Sequence, residues 1–274
     1  MRLGIRIIAV ITFILGILCI IFGNQLNYHV KNIKKINTSF ESFSFYKEEN
    51  KDRYNEYKKN NPILKDKDII LRVNIGLDHG FYTETKKVTN FNLLMLINKY
   101  NYVDESFIPD NLVLVDKYAR DGMYLVEECK NAFIKMAQDA EAVGYTIRAI
   151  STYRTLDYQE KLYNNYVKKD GIEIADTYSA RPGYSEHHTG LAIDIDNKQL
   201  SYTNFESTKE FTWMMENSYK YGFILRYGRD TSITGYMYEP WHYRYVGLEA
   251  SNYIHEQNIT FEEYYYEFID NKNS

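Results

Sequence analysis

Two short segments, about fifty residues apart, constrain this chain more than anything else in it. Residues 185–194 read SEHHTGLAID and residues 239–245 read EPWHYRY. Together they carry His187, Asp194 and His242, two imidazoles and a carboxylate, and they add Glu239 three residues before the last histidine. Three such ligands with one position left open make a catalytic zinc site, whereas a structural site takes four protein ligands. A free carboxylate beside the open position is what metal-assisted amide hydrolysis requires. The fold must therefore bring the two segments to one place.

Strand geometry tests whether they can meet. His187 and Asp194 are seven apart, so a straight strand would put them on opposite faces. Gly190 lies between them and permits a bend or bulge. Beyond it, Leu191, Ile193 and Ile195 share one face, and Ala192, Asp194 and Asp196 share the other. Small Ala192 leaves room for a metal and a substrate. Asp194 is the preferred ligand, and Asp196, on the same face, is its rival or a group further out. Glu239 and His242 are three apart and would again be separated, but Pro240 has no N–H to donate and favours a break. His242 then begins a strand, with Arg244 on its face and Tyr243 and Tyr245 on the other. Taken singly, each residue has a blander reading: a satisfied core histidine, an aspartate capping a turn, a glutamate paired with Arg244. The joint spacing argues against that. The H-E-x-x-H helix of other zinc proteases is absent, which excludes that class.

Composition sets the outer limits. The chain has 274 residues, enough for one sizeable domain with appendages. Its net charge of −4 gives no basic bias, so no nucleic-acid partner is expected. Its 28 tyrosines could stack on sugars, but biased codon usage gives the same composition and is the favoured explanation. The two cysteines, Cys19 and Cys129, fall in an apolar run and an expected helix, so neither a structural disulfide nor a competing metal cluster is expected.

Residues 7–23 are almost continuously apolar, and no Lys, Arg, Asp or Glu occurs between Arg6 and Lys31. That length suits a membrane span of roughly 20 residues. The tail lacks the small residues of a signal-peptide cleavage site, and Ile17 and Leu18 do not suit a lipoprotein site at Cys19. Residues 1–26 are thus expected as an uncleaved N-terminal signal anchor, a transmembrane helix. Charges on its two sides leave the orientation open. Residues 27–66 read as a polar, partly helical stalk, and residues 67–274 as the catalytic domain. Within that domain, residues 69–75 read as a strand. Residues 127–143 read as a helix closed by Gly144, and residues 145–151 as a strand. Helices are expected to start at Asp157 and Ser207, with Glu160 and Glu210 as capping-box partners. The fold class that follows is α+β, a small mixed or antiparallel sheet flanked by helices.

The segments PGYSEHHTGLAID and EPWHYRYVG resemble those of the VanY-type D-alanyl-D-alanine carboxypeptidases, a family of zinc peptidases. Every fixed position of the family pattern S-x-H-x-x-G-x-A-x-D is matched over residues 185–194, and its glutamate three before the last histidine is matched by Glu239 and His242. Ser151, Thr152, Tyr153 and Arg154, with Gln159 five further on, match a third segment. The resemblance covers roughly residues 93–250. It implies that His187, Asp194 and His242 bind one zinc ion and that Glu239 acts as general base and then acid. It also implies that Arg154 stabilises charge on the scissile carbonyl oxygen, and that Gln159 and Ser185 help hold the end of the peptide. One position departs: His188 stands where relatives usually carry Gln. Neighbouring side chains diverge on extended backbone, so His188 is not expected as a ligand.

The expected activity is that of a zinc-dependent D,D-carboxypeptidase removing the C-terminal D-Ala from peptidoglycan stem peptides. The expected location is the cell membrane, single-pass, with the catalytic domain extracellular. The same motifs would serve an L,D-carboxypeptidase or a peptidoglycan endopeptidase, because they build the metal centre and not the subsites. An inactive wall-binding protein would have lost a ligand or the base. A structural metal clip would need a fourth ligand, His188 or Asp196.

Overall fold

A computed structural model describes residues 40–270. The chain divides into Met1–Ser42, of which only the short turn Phe40–Ser42 is described, and Phe43–Ser274. The second unit opens with helices α1 (Lys51–Asn60) and α2 (Asp66–Ile75). Two small sheets follow: β1 (Lys86–Lys87) parallel to β2 (Asn101–Tyr102), and β3 (Leu112–Leu114) antiparallel to β4 (Tyr124–Val126). Next come α3 (Glu127–Ala142), β5 (Arg148–Ser151), α4 (Leu156–Asp170), α5 (Ile172–Tyr178) and β6 (Ala192–Asp196). The chain continues through α6 (Lys209–Asn217), β7 (Phe223–Leu225), β8 (His242–Tyr245), α7 (Leu248–Gln257) and α8 (Phe261–Phe268).

The central sheet has the order β5-β6-β8-β7, and every neighbouring pair is antiparallel. Its two faces differ as period-two alternation requires. Ile193 and Ile195 on β6 and Tyr243 and Tyr245 on β8 face the main core. Helix α3 meets them with Cys129, Phe133, Met136, Ala137 and Ala140, a buried stripe at helical spacing. Truncating Phe133 to Ala in such a contact costs about 3–5 kcal/mol. The opposite face carries Asp194, Asp196, His242 and Arg244.

Several sequence expectations change. Residues 69–75 form helix, not strand: α2 buries Ile69, Ile70, Leu71, Val73 and Ile75. A short apolar run buried on most sides carries no periodicity to separate the two states. Helix α4 is capped by Thr155, whose side chain accepts from the Tyr158 N–H, two residues earlier than Asp157. Helix α6 is capped by Thr208 rather than Ser207. From Phe43 onward, the stretch expected as a stalk is packed. Tyr54 is buried and its hydroxyl donates to Asn74 Oδ1 at 2.6 Å, and Asn74 Nδ2 donates to the Phe45 carbonyl at 2.8 Å.

The transmembrane helix is also corrected. No helix among the described residues is long and apolar enough to cross a membrane. The longest of them, α3, has 16 residues and one charged face. At 1.5 Å per residue it reaches about 24 Å, short of the roughly 20 apolar residues a span needs. This overturns the expected membrane contact and the single-pass, extracellular placement. Residues 1–26, on which that expectation rested, lie outside the described residues.

Candidate active site

Register builds the site. On β6 and β8, Asp194 stands opposite His242, and on β5, Ser151 stands opposite Asp194 after a bulge between Ala149 and Ser151. His187 arrives from a short 3₁₀ turn, Glu186–Thr189, which begins with Ser185 Oγ accepting from the His187 N–H at 3.3 Å. Gly190 ends that turn at φ +67, where a Cβ would also sit 2.7 Å from Leu112 Cδ2. Both the backbone conformation and the space thus call for glycine. This bend brings His187 and Asp194 to one side. Glu239 and His242 meet through a tight turn closed by the His242 N–H donating to the Glu239 carbonyl at 3.1 Å, with Pro240 at its second position.

His187 Nε2 lies 3.3 Å from Asp194 Oδ2, and His242 Nδ1 lies 3.1 Å from Asp194 Oδ1. One ligand atom from each of the three residues falls within 4.8 Å of the others. The two imidazole rings meet edge to face, 5.0 Å between centroids. The second nitrogen of each ring is held by an acceptor. His187 Nδ1 donates to the Thr152 carbonyl at 2.7 Å, and His242 Nε2 donates to Glu186 Oε2 at 3.3 Å. The remaining nitrogen of each ring therefore faces Asp194, free to turn to a metal there, the arrangement that outer hydrogen bonds impose on zinc-binding histidines. The donor set and its buried, converging geometry fit a zinc ion.

Glu239 stands beside this group, its Oε2 3.7 Å from His242 Nδ1. Burial lifts its carboxyl to about 8. Burial pushes the His242 imidazolium down, but hydrogen bonds to Asp194 and Glu186 outweigh it and hold the ring above the usual histidine range. Burial also opposes ionisation of Asp194, yet His187, His242 and Arg154 keep it well below the usual carboxylate range. His187 is driven to about 4, chiefly by burial.

Arg154 reaches the same group. Its Nη2 donates to Asp194 Oδ2 at 2.7 Å, its Nε to Ser151 Oγ at 2.9 Å and its Nη1 to Gln159 Oε1 at 3.3 Å. Gln159 Nε2 donates in turn to the Ala180 carbonyl at 2.8 Å, so both polar ends of that amide are engaged. Asp196 points elsewhere, paired with Arg148 at 2.9 and 2.7 Å. His188 is a clamp: Nδ1 donates to the Arg154 carbonyl at 2.8 Å and Nε2 accepts from the Gly183 N–H at 3.1 Å. With both nitrogens used and Asp196 turned away, neither suits a fourth ligand.

Sequence reasoning missed Glu186. It is fully buried, and its Oε1 accepts from Arg226 Nε at 2.8 Å and Arg244 Nη1 at 3.1 Å. The available signal was Arg244, placed on the ligand face of its strand, where a buried cation needs an acid. All of the expected site residues line one cleft of about 750 Å³, walled by Tyr158, Tyr202 and Trp241.

The profile of the family described as VanY, D-alanyl-D-alanine carboxypeptidase, matches residues 122–248. The chain is 36% identical over 206 residues to the putative carboxypeptidase YodJ of Bacillus subtilis (strain 168), a match spanning 69% of this chain and 76% of that protein. Its structure is similar to that of the LD-carboxypeptidase LdcB, with a TM-score of 0.62 and 36% identity over 67% of this chain and 90% of that one. It is also similar to a mutant of the vancomycin-resistance D,D-pentapeptidase VanY from the VanB-type resistance cassette, solved in complex with Zn(II). There the TM-score is 0.55 with 33% identity, over 63% of this chain and 98% of that one.

Proposed function

This chain belongs to the VanY family of D-alanyl-D-alanine carboxypeptidases, and from that premise we propose that it removes the C-terminal D-Ala from peptidoglycan stem peptides. It is a zinc metallocarboxypeptidase. The observation that carries the reading is the buried group of His187, Asp194 and His242 with Glu239 left beside it.

In this reading His187, Asp194 and His242 hold one zinc ion, which when bound polarises the scissile carbonyl and makes water nucleophilic near neutral pH. Glu239 takes the proton as the water oxygen bonds to the carbonyl carbon. As the C–N bond breaks, Glu239 returns that proton to the amine of the departing D-Ala. A carboxyl raised by burial is suited to both transfers. Arg154 offers fixed N–H donors to the oxygen on which charge grows. Gln159 acts by fixing that guanidinium, and Ser185 by fixing the turn that carries His187.

The likeness to the LD-carboxypeptidase LdcB favours a second reading, removal of D-Ala from tetrapeptide stems. Product analysis on defined stems separates the two. Free D-Ala from the pentapeptide supports the D,D reading. Release from the tetrapeptide alone replaces it with the L,D one.

A further inference from the structure

A chain of buried charges runs from the metal group to the last described helix. Glu186 divides its two oxygens. Oε1 takes both arginine contacts, from Arg226 Nε and Arg244 Nη1, while Oε2 is left to His242 Nε2. The other side of Arg226 forks onto Glu262 of α8, with Nη1 to Oε2 at 2.9 Å and Nη2 to Oε1 at 2.6 Å. Arg244 spends its remaining donors on carbonyls: Nη2 on Leu93 at 3.0 Å and Met95 at 2.9 Å, Nε on Tyr245 at 3.0 Å. The side chains of Glu186, Glu262, Arg226 and Arg244 are all closed to solvent. Two cations and two anions cancel.

Stability alone does not account for such a group. Well-packed apolar side chains of the same volume are commonly as stable as a buried ion network, or more so. What apolar packing cannot do is hold an imidazole by one nitrogen. An ionised carboxylate at Nε2 can only accept, so that nitrogen keeps its proton, and Nδ1, turned toward Asp194, is the one that would be given to a zinc ion. Two arginines on the other oxygen keep that carboxylate ionised and aimed. Its charge also makes the imidazole a more basic ligand.

We propose that Glu186 is the positioning residue of His242, and that the Arg226–Glu262 pair, by holding Glu186, makes helix α8 part of the zinc site. Glu262 lies beyond residue 248, where the family match ends. The inference rests on the reading of His187, Asp194 and His242 as zinc ligands.

The test uses the full chain, zinc affinity by competition with a chromogenic chelator, and the visible spectrum of the cobalt(II)-substituted protein. Glu186→Gln is expected to weaken zinc binding by about 10- to 100-fold and to shift the cobalt bands. A purely structural role would lower Tm and leave both readouts unchanged in the folded protein. The double variant Arg226→Met with Glu262→Met removes one charge of each sign and fills the space, which keeps the fold when Glu186→Gln alone does not. It is expected to weaken zinc binding in the same direction, by several-fold. Wild-type affinity and cobalt spectrum in folded Glu186→Gln, or in the double variant where that single variant fails to fold, overturn the proposal. A wild-type chain that binds zinc but releases no D-Ala would sink the proposed activity and leave this inference standing.

Discussion

Asp194 and His242 stand opposite each other across β6 and β8, with Asp194 Oδ1 3.1 Å from His242 Nδ1. That single register turns two distant segments into one site. A slip of one residue would turn the carboxylate and the imidazole into the core and present Ile193 and Tyr243 to the cleft. The sheet's buried face fixes the register, so packing by α3 and metal geometry are one problem.

Glu239 touches the ligand group without belonging to it. Glu239→Gln is expected to lower kcat by about 100- to 10,000-fold while zinc content stays at one ion per chain. Steady-state assays and metal analysis of the purified variant check this. Loss of zinc together with activity would make Glu239 a ligand instead.

Arg154 is fixed on three sides by Asp194, Ser151 and Gln159. Arg154→Ala is expected to cost about 100- to 1000-fold in kcat. Arg154→Lys should recover little of it, because a single ammonium cannot reproduce a planar fork. Full activity in the lysine variant would remove the fork from the mechanism.

His188 holds the Arg154 carbonyl and the Gly183 N–H. Glutamine also offers one donor and one acceptor, so His188→Gln should stay folded with activity within a few-fold. His188→Leu loses both bonds and is expected to cost about 1–3 kcal/mol for each partner left buried. Denaturant titration of the two variants decides it, and equal stability would discount the clamp.

The metal-free protein should lose stability between pH 6.5 and 8. Burial lifts Glu239 to about 8, and His242, despite burial, is held above its usual range by Asp194 and Glu186. Both folded-state groups keep protons that the unfolded chain releases at about 4.3 and 6.5. Their contribution is complete below those unfolded values and is lost as pH rises through the folded ones, by up to about 1.4 kcal/mol per pH unit for each proton. His187, driven to about 4 chiefly by burial, contributes above the unfolded value and loses stability only as pH falls toward 4. Lys99, lowered to about 8 by burial, adds stability only above that pH. Zinc needs the bare Nδ1, so zinc-induced stabilisation should grow over the same window. Thermal melts in chelator and in zinc test both slopes, and a metal-free Tm that rises with pH contradicts the assignment.

Much of the site was legible because its determinants are local. Gly190 and Pro240 mark the two bends, and alternation after each sorts ligands from core. Glu186 was not legible, since Arg226 and Arg244 lie 40 and 58 residues away and only the closed sheet brings them together. Residues 69–75 misled because β-branched residues suit a strand, while burial on most sides erases helical periodicity. Asp66 and Asp68 in the first turn of α2 and Gly76 at its end were the helix signals. The docking of Tyr54 depends on Asn74, a contact that no charge pattern announces.

The most direct test of the account is release of free D-Ala from a defined pentapeptide stem. It compares the zinc-loaded chain, the same chain in chelator, and zinc-loaded Glu239→Gln. The account predicts tetrapeptide and free D-Ala from the first alone. Undiminished release in chelator or by Glu239→Gln, or no release by the zinc-loaded chain, would contradict it.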